Sequence, residues 1–310
     1  MRPFSGVIAP VVTTFDAEGE AVAIDGFTAN IRAHLAAGLD GILVAGSTGE
    51  AALLDESERR LLVETARRIV PSDRALLAGI GGESTRITIR RAHDAKSAGA
   101  DAVLVVSPHY YTSSMTSAAL RDHFTRVADE SPLPILLYNV PKYAHFALTP
   151  ALVAELATHP NIGGMKDSAG DLPMLGEYVK LQSPSFTVFT GNGPTFASAL
   201  ALGVKAGILA VALFAPGLAR EVYDAFVGGN VEGARRAQDR MTEAARVIVG
   251  DLGPPGVKAA LDIIGLQGGV PRAPLRPLDP AARARVSDLV RGLVWHRTVG
   301  NAEVSGASVV

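Results

Sequence analysis

The chain has no cysteine among its 310 residues. That excludes disulfides, thiolate nucleophiles, iron–sulfur clusters and Cys-ligated zinc. It also lacks an excess of charge, since 29 Lys and Arg against 31 Asp and Glu leave a formal net charge of −2. With no basic run to offset that balance, neither nucleic acid nor an anionic membrane surface is an expected partner. Uninterrupted apolar runs of bilayer length are missing too. Between Leu181 and Ala219 the only charge is Lys205, but Pro184, Gly191, Asn192, Gly193, Pro194, Pro216 and Gly217 divide the stretch. The opening MRPFSGVIAPVVTTFDAEGE has no long apolar core of the signal-peptide kind, so a cytoplasmic location is the expectation.

What is present is apolar patterning. Hydrophobic residues make up 48% and charged ones 19%, a composition that rules out a mostly disordered chain. Short aliphatic or β-branched runs recur at spacings of roughly 25–35 residues, with helical patterns between them. They predict eight strands: Gly6–Val12, Gly41–Ala45, Ala75–Ala78, Ala102–Val106, Ile135–Tyr138, Ile162–Met165, Phe186–Thr190 and Ala206–Ala210. Each is followed by a predicted helix, the eight being Ile24–Ala37, Glu56–Val70, Thr85–Ser97, Thr116–Asp129, Pro150–Thr158, Leu172–Lys180, Thr195–Leu202 and Gly217–Val227.

Runs such as Asp101–Val106 (DAVLVV) imply strands buried on both faces, hence a parallel sheet under helices. Eight such units in about 225 residues point to an α/β fold, a closed (β/α)8 barrel of the TIM type. An open doubly wound sheet would carry a glycine-rich loop after its first strand, and Ala9-Pro10-Val11-Val12-Thr13 is not one. The expected organisation is a barrel over residues 1–228, a helical appendage over 229–295 and a frayed tail over 296–310. In the appendage, helices are predicted at Val231–Val249, after Gly253-Pro254-Pro255-Gly256, and at Pro280–Leu293.

In such a barrel the chemistry sits at the C-terminal ends of the strands. Those ends supply Gly46-Ser47-Thr48-Gly49-Glu50, His109-Tyr110-Tyr111, Tyr138-Asn139, Lys166 and Gly191-Asn192. Lys166 stands out, because it ends the apolar run Ile162-Gly163-Gly164-Met165 and is one of only six lysines. Burial favours the neutral form of an amine, and a neutral amine attacks a ketone to form a Schiff base. The competing reading pairs this amine with Asp167 or Glu50. The other five lysines read as solvated. Tyr138 could move a proton beside an imine, or could be a core tyrosine with a satisfied hydroxyl. Ser47 and Thr48 offer hydroxyls and N–H groups to a carboxylate, or merely form an ordinary turn.

Other signals are weak. Gly79-Ile80-Gly81-Gly82 lacks the ending of a phosphate loop, and Gly191-Asn192-Gly193 has Phe196 where a dinucleotide fingerprint needs its third glycine. The seven histidines show no paired ligand spacing, so no catalytic metal is expected.

The strand-end motifs resemble those of the dihydrodipicolinate synthase / N-acetylneuraminate lyase superfamily of pyruvate-type class I aldolases. The match runs over nearly the whole chain and rests on Gly46–Glu50 (GSTGE), Tyr138–Pro141 (YNVP) and Gly164–Asp171 (GMKDSAGD). The resemblance implies that Lys166 is the Schiff-base lysine, with no separate cofactor. Tyr138 becomes the proton shuttle, and Ser47 and Thr48 bind the carboxylate of an α-keto acid such as pyruvate. Tyr110, or less readily Tyr111, takes the place of a tyrosine that reaches a neighbouring subunit's site, which implies a homo-oligomer, commonly a tetramer.

Within the superfamily, synthases usually carry an arginine two residues after the YNVP proline, and this chain has Tyr143 there. Leu76–Thr85, Pro108–Leu120, His159–Asp171 and Gly268–Leu275 are similar to the 4-hydroxy-2-oxoglutarate aldolase branch. The first expectation is therefore cleavage of 4-hydroxy-2-oxoglutarate to pyruvate and glyoxylate. Ser168, Asn192, Tyr143 and Lys142 are the candidates for the distal carboxylate. The first alternative is condensation of pyruvate with aspartate semialdehyde by a dihydrodipicolinate synthase. Two others are an aldolase or dehydratase of longer sugar acids and a silent keto-acid-binding protein.

Overall fold

The computed structural model describes residues 5–293. Eight parallel strands close on themselves in sequence order. They are β1 (Gly6–Pro10), β2 (Gly41–Val44), β3 (Ala75–Gly79), β4 (Ala102–Val106), β5 (Ile135–Asn139), β6 (Ile162–Asp167), β7 (Thr187–Thr190) and β8 (Ala206–Ile208). Closure is made by β1 on β8, with Gly6, Val7 and Ile8 registered against Ala206, Gly207 and Ile208. The predicted strands thus all form, most of them one or two residues different at an end.

The surrounding helices are α1 (Ile24–Ala36), α2 (Glu56–Ile69), α3 (Thr85–Ser97), α4 (Ser117–Glu130), α5 (Pro141–Ala144), α6 (Pro150–Leu156), α7 (Leu172–Val179), α8 (Phe196–Leu202) and α9 (Pro216–Val227). Their starts are written locally. Asp55 and Glu58 form a capping box at α2, while Ser84, Thr116, Thr149 and Asp171 cap α3, α4, α6 and α7 through their side chains. Only the single turn α5 has no counterpart in the periodicity, being too short to carry one.

Two apolar layers hold the barrel. Ile8, Leu43, Leu77, Leu104, Leu136 and Phe189 fill its interior. A larger layer between strands and helices takes the alternate residues, such as Val7, Ile42, Leu76, Val103 and Leu137. Both faces of every strand are buried, which is why the strands read as continuous apolar runs.

One strand departs from simple alternation. Ile135 of β5 pairs with Ile162, but the next residue, Leu136, pairs with Gly164, so β6 carries one surplus residue, Gly163, in a bulge. Ile162 and Met165 consequently both face the helices, three positions apart. Lys166 then registers with the inward-facing Tyr138.

The appendage folds as α10 (Val231–Ala244), a π-helical turn Ala245–Asp251, α11 (Gly253–Ile263) and α12 (Pro280–Arg291). Two expectations are corrected here. The helix predicted over Val231–Val249 changes to π geometry from Ala245, with Leu252 N–H bonding Val247 O at 3.0 Å. And α11 begins at Gly253, not after Gly256, because Pro254 and Pro255 occupy a first turn that needs no N–H donors. No helix among the described residues is long and apolar enough to cross a membrane. The tail expected over 296–310 lies outside the described residues.

Candidate active site

At the C-terminal end of the barrel is a cavity of about 220 Å³. Its floor is laid by the sheet register. Tyr138 on β5 stands directly opposite Lys166 on β6, and Lys166 opposite Phe189 on β7. Lys166 is 6% exposed, and its Nζ lies 4.5 Å from the centre of the Tyr138 ring. Burial alone would raise the Tyr138 phenol. The Lys166 charge outweighs it, together with side-chain hydrogen bonds to Ser47, Ser168 and Lys166, and holds the phenol below its ordinary 10.0. A phenol so placed exchanges protons more readily than a free tyrosine.

Neither carboxylate suggested as a partner for Lys166 pairs with it. Asp167 follows it on the strand and so faces the other way, where Asn139 Nδ2 donates to it at 2.6 Å. Burial pushes the Asp167 carboxyl up to about 6, against the lowering effect of that bond. Glu50 is ion-paired with Lys258, at 2.5 Å. Lys258 is therefore not solvated as expected but 1% exposed, with Nζ also donating to Val270 O at 2.8 Å. Burial lowers its pKa despite Glu50.

Ser47 and Thr48 open a 3₁₀ turn, Ser47–Gly49, and both line the cavity. The turn is tight at both ends: Ala45 and Glu50 adopt positive φ of 53° and 57°, unusual for residues with a Cβ. Glu50 Oε2 also accepts from Arg272 N at 2.8 Å, so the turn is fastened from behind to the C-terminal region.

Ser168, Asn192 and Tyr143 also reach the cavity. The Asn192 side-chain oxygen accepts from Thr195, at 3.2 Å from its N and 3.0 Å from its Oγ1. Gly191 lies against the catalytic candidates so closely that a Cβ there would fall 2.5 Å from Lys166 Cε.

Tyr110 is not brought to the cavity of its own chain. It is 77% exposed, in an edge-to-face pair with Tyr111 at 5.0 Å, and its N–H is held by Glu83 Oε2 at 2.9 Å. Residues of the appendage do reach the cavity: Arg246, Val249 and Gly250 from the π-helical turn, and Gly253, Pro254 and Val257 from α11. Arg246 was not a sequence candidate. Only the Gly/Pro cluster at 253–256 hinted that the chain reverses there. Among the described residues no group of three or more His, Asp or Glu could hold a metal ion.

A profile of the dihydrodipicolinate synthetase family matches residues 3–293. The chain belongs to that family. Among curated proteins it is 35% identical to the 4-hydroxy-tetrahydrodipicolinate synthase of Methanoculleus marisnigri, over 94% of this chain and 99% of the relative. It is 34% identical to the synthase of that name from Archaeoglobus fulgidus, covering 94% and 98%. Among solved structures, YagE, an Escherichia coli K12 prophage protein of the dihydrodipicolinic acid synthase family in complex with pyruvate, superposes with a TM-score of 0.87. That match has 32% identity and covers 94% and 98% of the two chains. The (β/α)8 barrel and the superfamily expected from the motifs are thereby established, and the protein is an enzyme of a pyruvate-dependent lyase family.

Proposed function

We propose that the protein forms a Schiff base between Lys166 and pyruvate and joins that unit to, or releases it from, a small aldehyde. The observation that carries this reading is the registered pair of Tyr138 and the buried Lys166 on the cavity floor. The unprotonated amine attacks the C2 ketone of pyruvate, water leaves, and a protonated imine forms. That cation accepts the electron pair freed when a C3 proton is removed, giving an enamine. The enamine carbon attacks the aldehyde while Tyr138 delivers a proton to the developing alkoxide. Water then hydrolyses the imine and restores the amine; cleavage is the same sequence reversed. Ser47 and Thr48 hold the pyruvate carboxylate. Tyr110 enters from a neighbouring subunit of a homo-oligomer, since its own chain leaves it far exposed.

Several curated relatives bear the name of a synthase, which favours condensation with aspartate semialdehyde over the cleavage of 4-hydroxy-2-oxoglutarate first expected from the motifs. One observation keeps cleavage as a second reading. Tyr143, where synthases usually carry arginine, lines the cavity with a neutral phenol.

Borohydride reduction in the presence of pyruvate, read by intact and peptide mass, is the test of the first step. The adduct is expected on Lys166 and should be absent from Lys166→Ala, which keeps the fold. Absence from the native protein would overturn the proposal. Comparing kcat/KM for aspartate semialdehyde with that for 4-hydroxy-2-oxoglutarate then separates the two readings.

A further inference from the structure

The wall of the cavity carries three cations and no carboxylate among the described residues: Lys166, Lys142 and Arg246. The first belongs to the chemistry. The other two come from segments far apart in sequence that meet over the cavity. Lys142 lies on α5, directly after β5, and Arg246 on the π-helical turn. Lys142 Nζ donates to Gly250 O at 2.6 Å, which ties its segment to that turn and sets both cations on one wall.

Both retain free donors. An ammonium has three, and the Gly250 carbonyl occupies one. A guanidinium has five, and Arg246 spends Nη1 on Asp251 at 3.0 Å. That ion pair is about half exposed on each side, where solvent and salt leave such contacts weak. Asp251 itself is not part of the wall. Two cations facing a shared cavity without a carboxylate between them repel one another, and an anion placed there relieves it.

We infer that Lys142 and Arg246 form the distal carboxylate site, so that the aldehyde partner is one bearing a carboxylate and the covalent intermediate is a 2-oxo dicarboxylate held at both ends. This rests on the Schiff-base reading above. Arg246 and Lys142 stand in for the cation missing at Tyr143. Arg246 offers the planar fork suited to a carboxylate. Neutral aldehydes leave Lys142 unpaired and Arg246 with only its half-exposed partner Asp251, and are disfavoured.

The test needs only adduct formation, not turnover. Matched 2-oxo acids are trapped on the purified protein with borohydride at graded concentrations: 2-oxoglutarate against 2-oxopentanoate, and 2-oxoadipate against 2-oxohexanoate. Each pair differs only in a methyl for the distal carboxylate. The native protein should favour the dicarboxylate by about tenfold or more, the worth of one charge-assisted hydrogen bond. In Arg246→Gln the ratio should fall several-fold, Arg246→Lys should keep part of it, and Lys142→Met with Arg246→Gln should bring it to about one. Equal trapping by the native protein, or a preference that survives the double substitution, overturns the inference. If pyruvate gives no adduct at all, the Schiff-base reading fails and carries this one with it. Trapping of pyruvate and of 2-oxopentanoate with no preference for 2-oxoglutarate removes the distal site alone.

Discussion

Glu50 and Lys258 meet at 2.5 Å in the interior, joining the turn after β2 to helix α11. Their side chains are 0% and 1% exposed, and Lys258 Nζ lies 4.5 Å from the Phe15 ring centre. Removing one member of such a pair strands the other as a buried charge. Lys258→Met should therefore cost about 3–5 kcal/mol of stability. Glu50→Gln combined with Lys258→Met should recover much of that loss. Urea unfolding of the native protein and the two variants measures it, and a destabilisation of Lys258→Met below about 1 kcal/mol would show that the pair is not held dry.

Tyr138→Phe keeps the ring against Lys166 and removes the proposed proton carrier. Turnover should fall by about 10²–10⁴-fold, the usual range for losing a general acid–base group. The pyruvate adduct should still be trappable, since the attacking amine remains. Because the phenol of the free protein titrates below its ordinary 10.0, the alkaline fall in kcat/KM should also begin below that pH. An unchanged kcat in Tyr138→Phe would take the phenol out of the mechanism.

Gly191→Ala tests how tightly the backbone is drawn against the amine. The new methyl would fall 2.0 Å from Ser168 Oγ and 2.5 Å from Lys166 Cε. The Ser168 hydroxyl can rotate away, whereas Lys166 can yield only by leaving its place beside Tyr138. Stopped-flow or quench measurements should show imine formation slowed tenfold or more, about what a misplaced reacting group costs. A normal rate would mean that Lys166 tolerates the shift.

Asp167 makes stability depend on pH. Its folded pKa of about 6 stands above the ordinary 3.8, so the folded state holds this proton more firmly than the unfolded one. That contribution is complete below about pH 4 and is lost as pH rises through about 6. Asp167→Asn keeps an oxygen for the Asn139 amide and removes the buried charge. It should raise stability at pH 7 by about 2–3 kcal/mol and abolish this part of the slope between pH 4 and 6. Thermal unfolding of both proteins across that range decides it. Equal slopes would place the native titration elsewhere.

Much of the barrel is legible in the chain because each strand is buried on both faces and each helix on one, so apolar runs and helical periods mark them separately. The candidate site residues are legible for a related reason. A polar residue at the end of an apolar run has few places to go except the barrel mouth, and Ser47, Tyr138 and Lys166 all lie there. Lys258 misleads because its partner, Glu50, comes from the other end of the chain, and nothing local separates a buried lysine from a solvated one. Arg246 is missed for a similar reason: it reaches the cavity only after α10 changes to π geometry and the appendage turns back over the barrel. Tyr110 does not line the Lys166 cavity and is 77% exposed, and nothing in the local pattern separates it from the residues that do enter.

The bulge in β6 sets a question of parity. Along a strand, inside and outside alternate like odd and even numbers, and the surplus Gly163 changes the count once, just upstream of Lys166. Counted evenly from the outward-facing Ile162, the inward position would fall on Met165 and the amine would point into the helix layer. Straightening the bulge at full length would thus exchange an amine for a thioether in the cavity, whereas deleting Gly163 would restore simple alternation and leave Lys166 opposite Tyr138. What aims the amine, at the length this strand has, is one glycine left out of step with β5.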